Sequence, residues 1–139
     1  MTTGERIKQA RILRGMSLKE LGLSIGLKES SADVRIAQYE SGTRIPKEKL
    51  LRSIAKTLNV SFAALNTSRE INLETAMYML LALDDQCGVS ISDTEQKRIC
   101  FASKQINNFL TEWQLRKQQL SSGIITEEEY RLWTLTVVE

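Results

Sequence analysis

The chain carries few side chains that could do covalent or metal chemistry. It has no histidine, and its only cysteines are Cys87 and Cys100. Ser-His-Asp and Cys-His catalysis are therefore excluded, as is any metal site that needs imidazole. Two cysteines are also too few for a four-cysteine zinc site or a disulfide scaffold. We expect a protein that is not an enzyme and that holds no cofactor and no metal.

Three consecutive carboxylates, Glu127–Glu129, are the remaining candidate metal ligands. They could form a metal patch, or they could begin a helix, because the helix dipole favours negative charge in the first turn. We favour the helix start, since Thr126 and Glu129 have the spacing of a capping pair.

Charged side chains are unevenly distributed along the chain. Residues 1–66 contain 12 Lys and Arg against 6 Asp and Glu, a net charge of +6, and residues 67–139 contain 7 against 11, a net charge of −4. The two halves sum to the formal net charge of +2. This asymmetry indicates that the first half binds a polyanion such as nucleic acid, with chance scatter of surface charge as the alternative.

Length and composition indicate a soluble, mostly helical protein. The chain has 139 residues, one proline and 7 glycines. Its longest apolar run, Ala76–Leu83, is far shorter than the ~20 residues that a membrane span needs. No signal-peptide pattern opens the chain. We therefore expect a cytoplasmic protein without a membrane partner.

Helical periodicity and capping signals predict five short helices in the first half. Ser17 and Glu20 have the spacing of a capping box, and Leu51, Ile54 and Leu58 mark the apolar stripe of a later helix. The predicted helices are Gly4–Arg14, Leu18–Ile25, Ala32–Tyr39, Lys47–Leu58 and Phe62–Leu65. Two short helices joined by a tight connection within such a unit are typical of a helix-turn-helix.

The second half begins with a predicted helix that ends at Leu83. Thr67 and Glu70 form a second capping box before it, and Asp84–Gly88 is expected to break it. Its apolar stripe is expected to be domain core rather than a ligand pocket. That stripe consists of Leu73, Ala76, Met77, Leu80 and Leu81.

Alternating apolar residues predict a hairpin of Gly88–Ser92 and Gln96–Ala102 with a three-residue loop. An odd loop length places the apolar residues of both strands on one face. The hairpin is followed by a predicted helix over Lys104–Leu120 and a last helix that carries Tyr130 and Trp133. The inward residues of the longer helix are expected to be Ile106, Phe109, Leu110 and Trp113.

Two runs of the first half resemble a known family of regulators. RIKQARILRGMSLKELGLSIGL and RIAQYESGTRIPKEKLLRSIAKTLNVSFAAL are similar to the phage-repressor and Cro-like regulators of the Xre family. The resemblance covers Gly4–Leu65. It implies a mainly α fold, in which a five-helix, lambda-repressor-like DNA-binding domain occupies residues 1–66. A small α+β region of one helix, a hairpin and two helices follows in residues 67–139.

The resemblance also implies roles for individual residues. In the family, the third helix lies in the major groove of DNA and its first residues reach base edges. The positions implied for base contacts are Asp33, Val34, Arg35 and Gln38. For Arg35 and Gln38 a simple solvated face is the alternative, and Asp33 could instead cap the helix.

Phosphate contacts are implied at the start of the second helix and in the connection after the third helix. The residues are Ser17, Lys19, Thr43, Arg44 and Lys47. Arg11 and Glu40 are implied to form a structural salt bridge between the first and third helices.

The sequence departs from the family pattern at three points. Leu18 stands where glutamine is common, and Gly22 stands where alanine is usual, at a cost of up to ~1 kcal/mol of helix stability. The turn before the third helix is longer, and LKESSADVRIAQYESG resembles a longer-turn subgroup of bacterial regulators. The third helix could therefore begin about one residue before or after the position given above, which would shift the base contacts with it.

The run SSGIITEEEYRLW resembles the end of uncharacterised regulators from low-GC Gram-positive bacteria. That resemblance names no effector, and we assign dimerisation to residues 67–139. The expected function is a sequence-specific transcriptional regulator, a dimeric repressor whose partner is double-stranded DNA. The alternative is an antitoxin-like or phage-encoded interaction protein whose second half binds a protein partner.

Overall fold

A computed structural model describes residues 1–66 and 73–137. The helices in these ranges are α1 (Thr3–Leu13), α2 (Leu18–Ser24), α3 (Ala32–Glu40), α4 (Glu48–Leu58), α5 (Phe62–Leu65), α6 (Leu73–Cys87), α7 (Lys104–Ser121) and α8 (Glu127–Thr136), and the strands are β1 (Val89–Ile91) and β2 (Ile99–Phe101). This order confirms the predicted fold class. The predicted capping box of Thr67 and Glu70 lies outside the described residues. None of the helices in the described ranges is long and apolar enough to cross a membrane.

The chain divides into two compact units. The described residues of the first unit are 1–66 and 127–137, and those of the second unit are 73–126. The first unit therefore contains α1–α5 together with the last helix, α8.

Side-chain caps explain where the helices of the first unit begin. The Ser17 hydroxyl accepts from the Glu20 backbone N–H at 3.1 Å, and the Glu20 carboxylate accepts from the Ser17 N–H at 2.7 Å. Thr2 and Glu5 form an equivalent capping box at α1, which the sequence analysis did not predict. Each box satisfies two backbone donors that a helix start leaves without an intrahelical acceptor.

The core of the first unit is formed by α1–α5 and closed by α8. Leu135 of α8 is 4% exposed and joins the core, and its carbonyl oxygen accepts from the Ser61 N–H at 2.8 Å. Helix α8 packs against both α1 and α5. The other core residues are Ile7, Ala10, Leu21, Ile36, Tyr39, Leu51, Ile54, Ala55, Leu58, Val60 and Leu65.

Gly22 lies where α2 approaches the start of α3. A Cβ atom at this position would lie 2.7 Å from the Cβ atom of Ala32 and 2.8 Å from its carbonyl oxygen. The glycine therefore permits a close contact between the two helices. This contact explains why the residue departs from the alanine of the family despite its low helix propensity.

In the second unit, α6 differs from its prediction in length and in burial. It continues through Asp84 to Cys87 and ends before Gly88, which has a φ of 67°. The predicted break therefore falls at the end of the segment Asp84–Gly88, and the expected helix end at Leu83 was four residues too early. The apolar stripe is not core either, because α6 has no buried residue and Leu73, Met77 and Leu81 are 79%, 58% and 63% exposed.

The hairpin has the predicted parity and a longer loop. Val89 pairs with Phe101 and Ile91 with Ile99, so odd-numbered residues oppose each other. Seven residues lie between Ile91 and Ile99, the last pair before the loop, whereas a loop of three residues was predicted. The Ser92 N–H donates to the Arg98 carbonyl oxygen at 3.0 Å. Within the loop, the Thr94 hydroxyl donates to the Gln96 carbonyl oxygen at 2.6 Å and lies 3.1 Å from the Ser92 hydroxyl.

The long helix α7 begins after Ser103, whose hydroxyl accepts from the Ile106 N–H at 3.3 Å. It has no buried residue: of the four residues expected to point inward, Ile106, Phe109 and Leu110 are half-buried and Trp113 is 38% exposed. Cys87 and Cys100 are both free thiols.

Candidate nucleic-acid interface

Helix α3 has one buried side and one exposed side. Ala32, Ile36 and Tyr39 face the core of the first unit. Asp33 and Val34 are exposed on the other side, with Ala37 one turn further along and Gln38 half-buried beside it. The helix begins at Ala32, as predicted, so the longer turn before it does not move these positions.

Asp33 is not a helix cap. The residue at the cap position of α3 is Ser31, whose side chain makes no capping hydrogen bond, and Asp33 lies inside the first turn. An aspartate there interacts favourably with the helix dipole. Its carboxylate is exposed and remains available as an acceptor.

Arg35 lies at the flank of α3 and lines a cationic groove. The groove has a volume of about 630 Å³ and is bounded by α3, the α3–α4 connection and the start of α4. Arg44 and Lys47, both predicted phosphate contacts, line it together with Lys49. The structure thus brings one predicted base contact and two predicted phosphate contacts into one site.

Thr43 stands in the same connection, and its hydroxyl lies 2.8 Å from that of Ser41. The connection is held against α3 because the Arg44 N–H donates to the Gln38 carbonyl oxygen at 3.0 Å. Lys49 was missed by the sequence analysis. Its position two residues after Lys47, at the start of an amphipathic helix, is the signal that could have indicated it.

The predicted phosphate contacts of α2 are already engaged within the chain. The Ser17 hydroxyl and N–H both take part in the capping box with Glu20. Hydrogen bonds from Ser17 hold the pKa of the Glu20 carboxyl below its usual value. The ionised Glu20 side chain therefore already occupies the start of α2 at neutral pH. The Lys19 ammonium forms an exposed ion pair of 2.8 Å with Glu29 in the turn before α3.

Arg11 and Glu40 join α1 to α3 in a bidentate ion pair. The Arg11 Nε and Nη2 atoms donate to the two carboxylate oxygens at 2.6 and 3.0 Å, and Nη1 donates to the Met16 carbonyl oxygen at 2.8 Å. The two side chains are only 12% and 7% exposed. The hydrogen bond to Glu40 raises the pKa of the Arg11 guanidinium, and burial opposes it with a smaller effect.

Two further arginines of α1 also make contacts inside the first unit. Arg14 donates to the carbonyl oxygens of Leu58 and Asn59 at 2.7 and 2.8 Å, and Arg6 donates to the Ala64 carbonyl oxygen at 3.2 Å. With Arg11, these side chains account for a quarter of the 12 basic residues in residues 1–66. The net charge of +6 also belongs to residues 1–66 alone, and Glu127, Glu128 and Glu129 of α8 lower the charge of the whole unit.

The comparison with protein families identifies the part of the first unit that contains α2–α5 and most of α1. A family model described as helix-turn-helix matches residues 7–65. Residues 7–65 belong to the helix-turn-helix family. This helix-turn-helix domain is of the Cro/C1, Xre-like type, as the resemblance implied. The presence of this domain supports the conclusion that the chain is a DNA-binding transcriptional regulator.

Two solved structures are similar to this chain over most of its length. The crystal structure of transcriptional regulator BswR is 25% identical, covers 88% of this chain and 98% of its own, and has a TM-score of 0.48. The SinR protein/SinI protein complex is 26% identical, covers 85% of this chain and all of its own, and has a TM-score of 0.44. A comparison with curated proteins gave no significant match.

Proposed function

We propose that the chain is a sequence-specific repressor that binds double-stranded DNA as a dimer, with α3 in the major groove. The observation that carries this proposal is the exposed side of α3 beside a groove lined by four cations. An α-helix with its side chains is about 10–12 Å across, which fits the ~12 Å width of the major groove. Cations along the flank of such a helix are suited to the phosphates on either side.

The side chains of α3 match the chemistry of base edges. Gln38 can pair with adenine, Asp33 can accept from the amino group of cytosine, and Val34 can contact a thymine methyl group. Arg35 can pair with guanine, although its position at the flank also brings it near phosphates. Thr43, Arg44 and Lys47 would hold the domain in register on the backbone.

The small number of base pairs that one α3 helix can contact is the reason for proposing a dimer. One helix-turn-helix contacts only a few base pairs, and two-fold pairing doubles the site and gives usable specificity. Bound across a promoter, the dimer would repress by excluding the transcription machinery.

The first test is a gel-shift titration against the DNA upstream of the protein's own reading frame and against a scrambled duplex, at two salt concentrations. We expect a preference for the upstream DNA that survives the higher salt concentration. Equal and salt-sensitive binding to both duplexes would indicate a domain that contacts phosphate only. No binding at low salt would refute the proposal.

Replacing Arg35 and Arg44 separately with alanine distinguishes base reading from positioning. Arg35→Ala should cost ~1–3 kcal/mol on the operator and relax the preference at one base pair. Arg44→Ala should weaken binding to all duplexes alike and reduce the salt dependence by about one phosphate contact. The measurement is a titration of each variant against a panel of single-base-pair changes. Identical behaviour of the two variants would contradict this division of roles.

Replacing Glu29 with glutamine should strengthen binding to DNA. The change removes the partner of Lys19, and exposed ion pairs of this kind are worth up to ~1 kcal/mol, so we expect a gain of about two- to fivefold on every duplex. Glu127→Gln is the matched control, because it removes an exposed carboxylate from the Arg131 pair on α8 of the same unit. An equal gain in both variants would show that only net charge matters.

A further inference from the structure

The second unit exposes an apolar surface that residues 73–126 of the chain do not cover. None of these described residues is buried. Helix α6 is apolar over most of its circumference, which is typical of a helix enclosed by other elements. Five exposed leucine and methionine side chains on this one helix also exceed what isolated surface residues explain.

The exposed apolar side chains are contiguous across α6 and the hairpin. Met77, Leu80 and Leu81 recur at helical spacing and line an open hollow of about 290 Å³ together with residues of both strands. The remaining lining residues are Asp84, Val89, Ile91 and Ile99. Leu73 extends the same side of α6 by one turn. We call these residues the α6–hairpin surface.

We infer that the α6–hairpin surface binds the same surface of a second copy of this chain. Leu73, Met77 and Leu81 are more than half exposed, as is Ile91 on the hairpin. With Leu80 and Ile99 the surface has six large exposed apolar side chains. At roughly 100 Å² for each of them it offers about 600 Å² per partner, the lower end of the area that a stable interface buries. The inference rests on the dimeric state proposed above and assigns that state to named residues.

Charge favours a second copy with α6 of one chain facing Arg98 and Lys104 of the other. Helix α6 contains Glu74, Asp84 and Asp85 and no lysine or arginine. The loop between the strands carries Lys97 and Arg98 beside Asp93 and Glu95, and the start of α7 carries Lys104. Lys97 pairs with Asp93 at 3.4 Å, so Arg98 and Lys104 are the cations that this side of the unit can offer to an acidic helix. In a two-fold pairing this contact is made twice, once by each acidic helix, because the interface is self-complementary.

Stability also favours a partner that is always present. A two-stranded hairpin is marginally stable by itself, and a unit of this size with no buried residue has no core to hold it. A partner that is synthesised together with the chain satisfies this requirement at all times. A second copy meets that condition.

The test measures the mass of the full chain by sedimentation equilibrium over a range of concentrations, without DNA. We expect a species of twice 15.8 kDa for the unchanged chain. Leu81→Glu should raise the dissociation constant of the dimer at least 100-fold, because the substitution enters a two-fold interface twice. Ile124→Glu is the matched control, since Ile124 is 71% exposed in the turn after α7 and outside the surface.

Hydrogen exchange provides a second measurement that does not depend on a variant. The amides of α6 and β1 should become more protected as the concentration of the unchanged chain rises through the dissociation constant, whereas those of α4 should not change. A monomer at all concentrations would overturn the inference and would favour a different protein as the occupant. A Leu81→Glu chain that remains dimeric, or an equal effect of Ile124→Glu, would also overturn it.

These outcomes are distinguishable from failure of the proposed function. The mass and the exchange are measured without DNA, whereas phosphate binding by the first unit is measured at low salt on any duplex. A monomeric Leu81→Glu chain that still binds duplex non-specifically would support both proposals. A dimer that binds no DNA would refute only the repressor.

Discussion

Replacing Glu40 with alanine should destabilise the first unit by about 3 kcal/mol. The carboxylate accepts two hydrogen bonds from Arg11, and both side chains are almost fully buried. Removing one partner of such a pair leaves a buried charge without compensation, which costs ~3–5 kcal/mol. The remaining hydrogen bond from Arg11 to the Met16 carbonyl oxygen places our estimate at the lower end of that range. Denaturant unfolding of the full chain measures the loss.

An exposed ion pair in the same unit provides the control. Glu48 pairs with Arg52 one turn away on α4, and its side chain is 68% exposed. Glu48→Ala should cost no more than ~0.5 kcal/mol, because exposed helical pairs contribute little. Equal losses in the two variants would show that burial does not decide the strength of the Arg11–Glu40 pair. Since this pair fixes α3 against α1, Glu40→Ala should also weaken sequence-specific DNA binding more than Glu48→Ala does.

Replacing Gly22 with alanine should destabilise the first unit by about 2 kcal/mol. Helix propensity alone predicts a gain of up to ~1 kcal/mol for this change. The new methyl group would, however, lie within 3 Å of the Cβ, carbonyl carbon and carbonyl oxygen atoms of Ala32. Two of these atoms belong to the backbone, so α2 and α3 must move apart, and overpacking of a core contact costs ~1–3 kcal/mol. Thermal or denaturant unfolding gives the sign directly.

Ser24→Ala is the matched control for Gly22→Ala. Ser24 is exposed in the same helix, and its hydroxyl donates back to the Glu20 carbonyl oxygen at 2.8 Å. Alanine there should stabilise slightly, because propensity acts without a steric cost. If Gly22→Ala stabilised the unit as Ser24→Ala does, the close contact of α2 and α3 would be refuted. A shift of α3 relative to α2 should also reduce operator binding by the Gly22→Ala chain.

Features of the fold that depend on neighbouring residues could be predicted from the sequence. The capping box of Ser17 and Glu20, the end of α4 at Leu58 and the parity of the hairpin all involve groups within a few residues. Each follows from backbone hydrogen bonding and side-chain alternation alone. The capping box of Thr2 and Glu5 is equally local, and it could have been predicted by the same pattern.

Features that depend on distant partners could not be predicted in this way. The stripe of α6 has the spacing of a core helix, but periodicity does not say which surface covers it. Similarly, the tail pattern predicts α8 as a helix, whereas the burial of Leu135 in the first unit depends on packing across more than 70 residues of chain. The close approach that requires Gly22 is likewise visible only once α2 and α3 are placed together.

The candidate site shows the same division. The exposed positions of α3 follow from its period, because Asp33 and Val34 fall opposite the buried Ala32 and Ile36. The engagement of Lys19 by Glu29 depends on the shape of the long turn, and the groove beside Arg35 depends on where α4 begins. Residue type alone does not distinguish a lysine that is held by the chain from one that is available to DNA.

The position of α8 imposes an order on folding during synthesis. The ribosome releases α1–α5 several seconds before α8, since about 60 residues separate them at ~5–20 residues per second. Until α8 emerges, the nascent helix-turn-helix lacks Leu135 in its core and an acceptor for the Ser61 N–H from that helix. We therefore expect that a message cut short within the second unit yields a loosely packed fragment, which competes poorly with full chains for the same DNA.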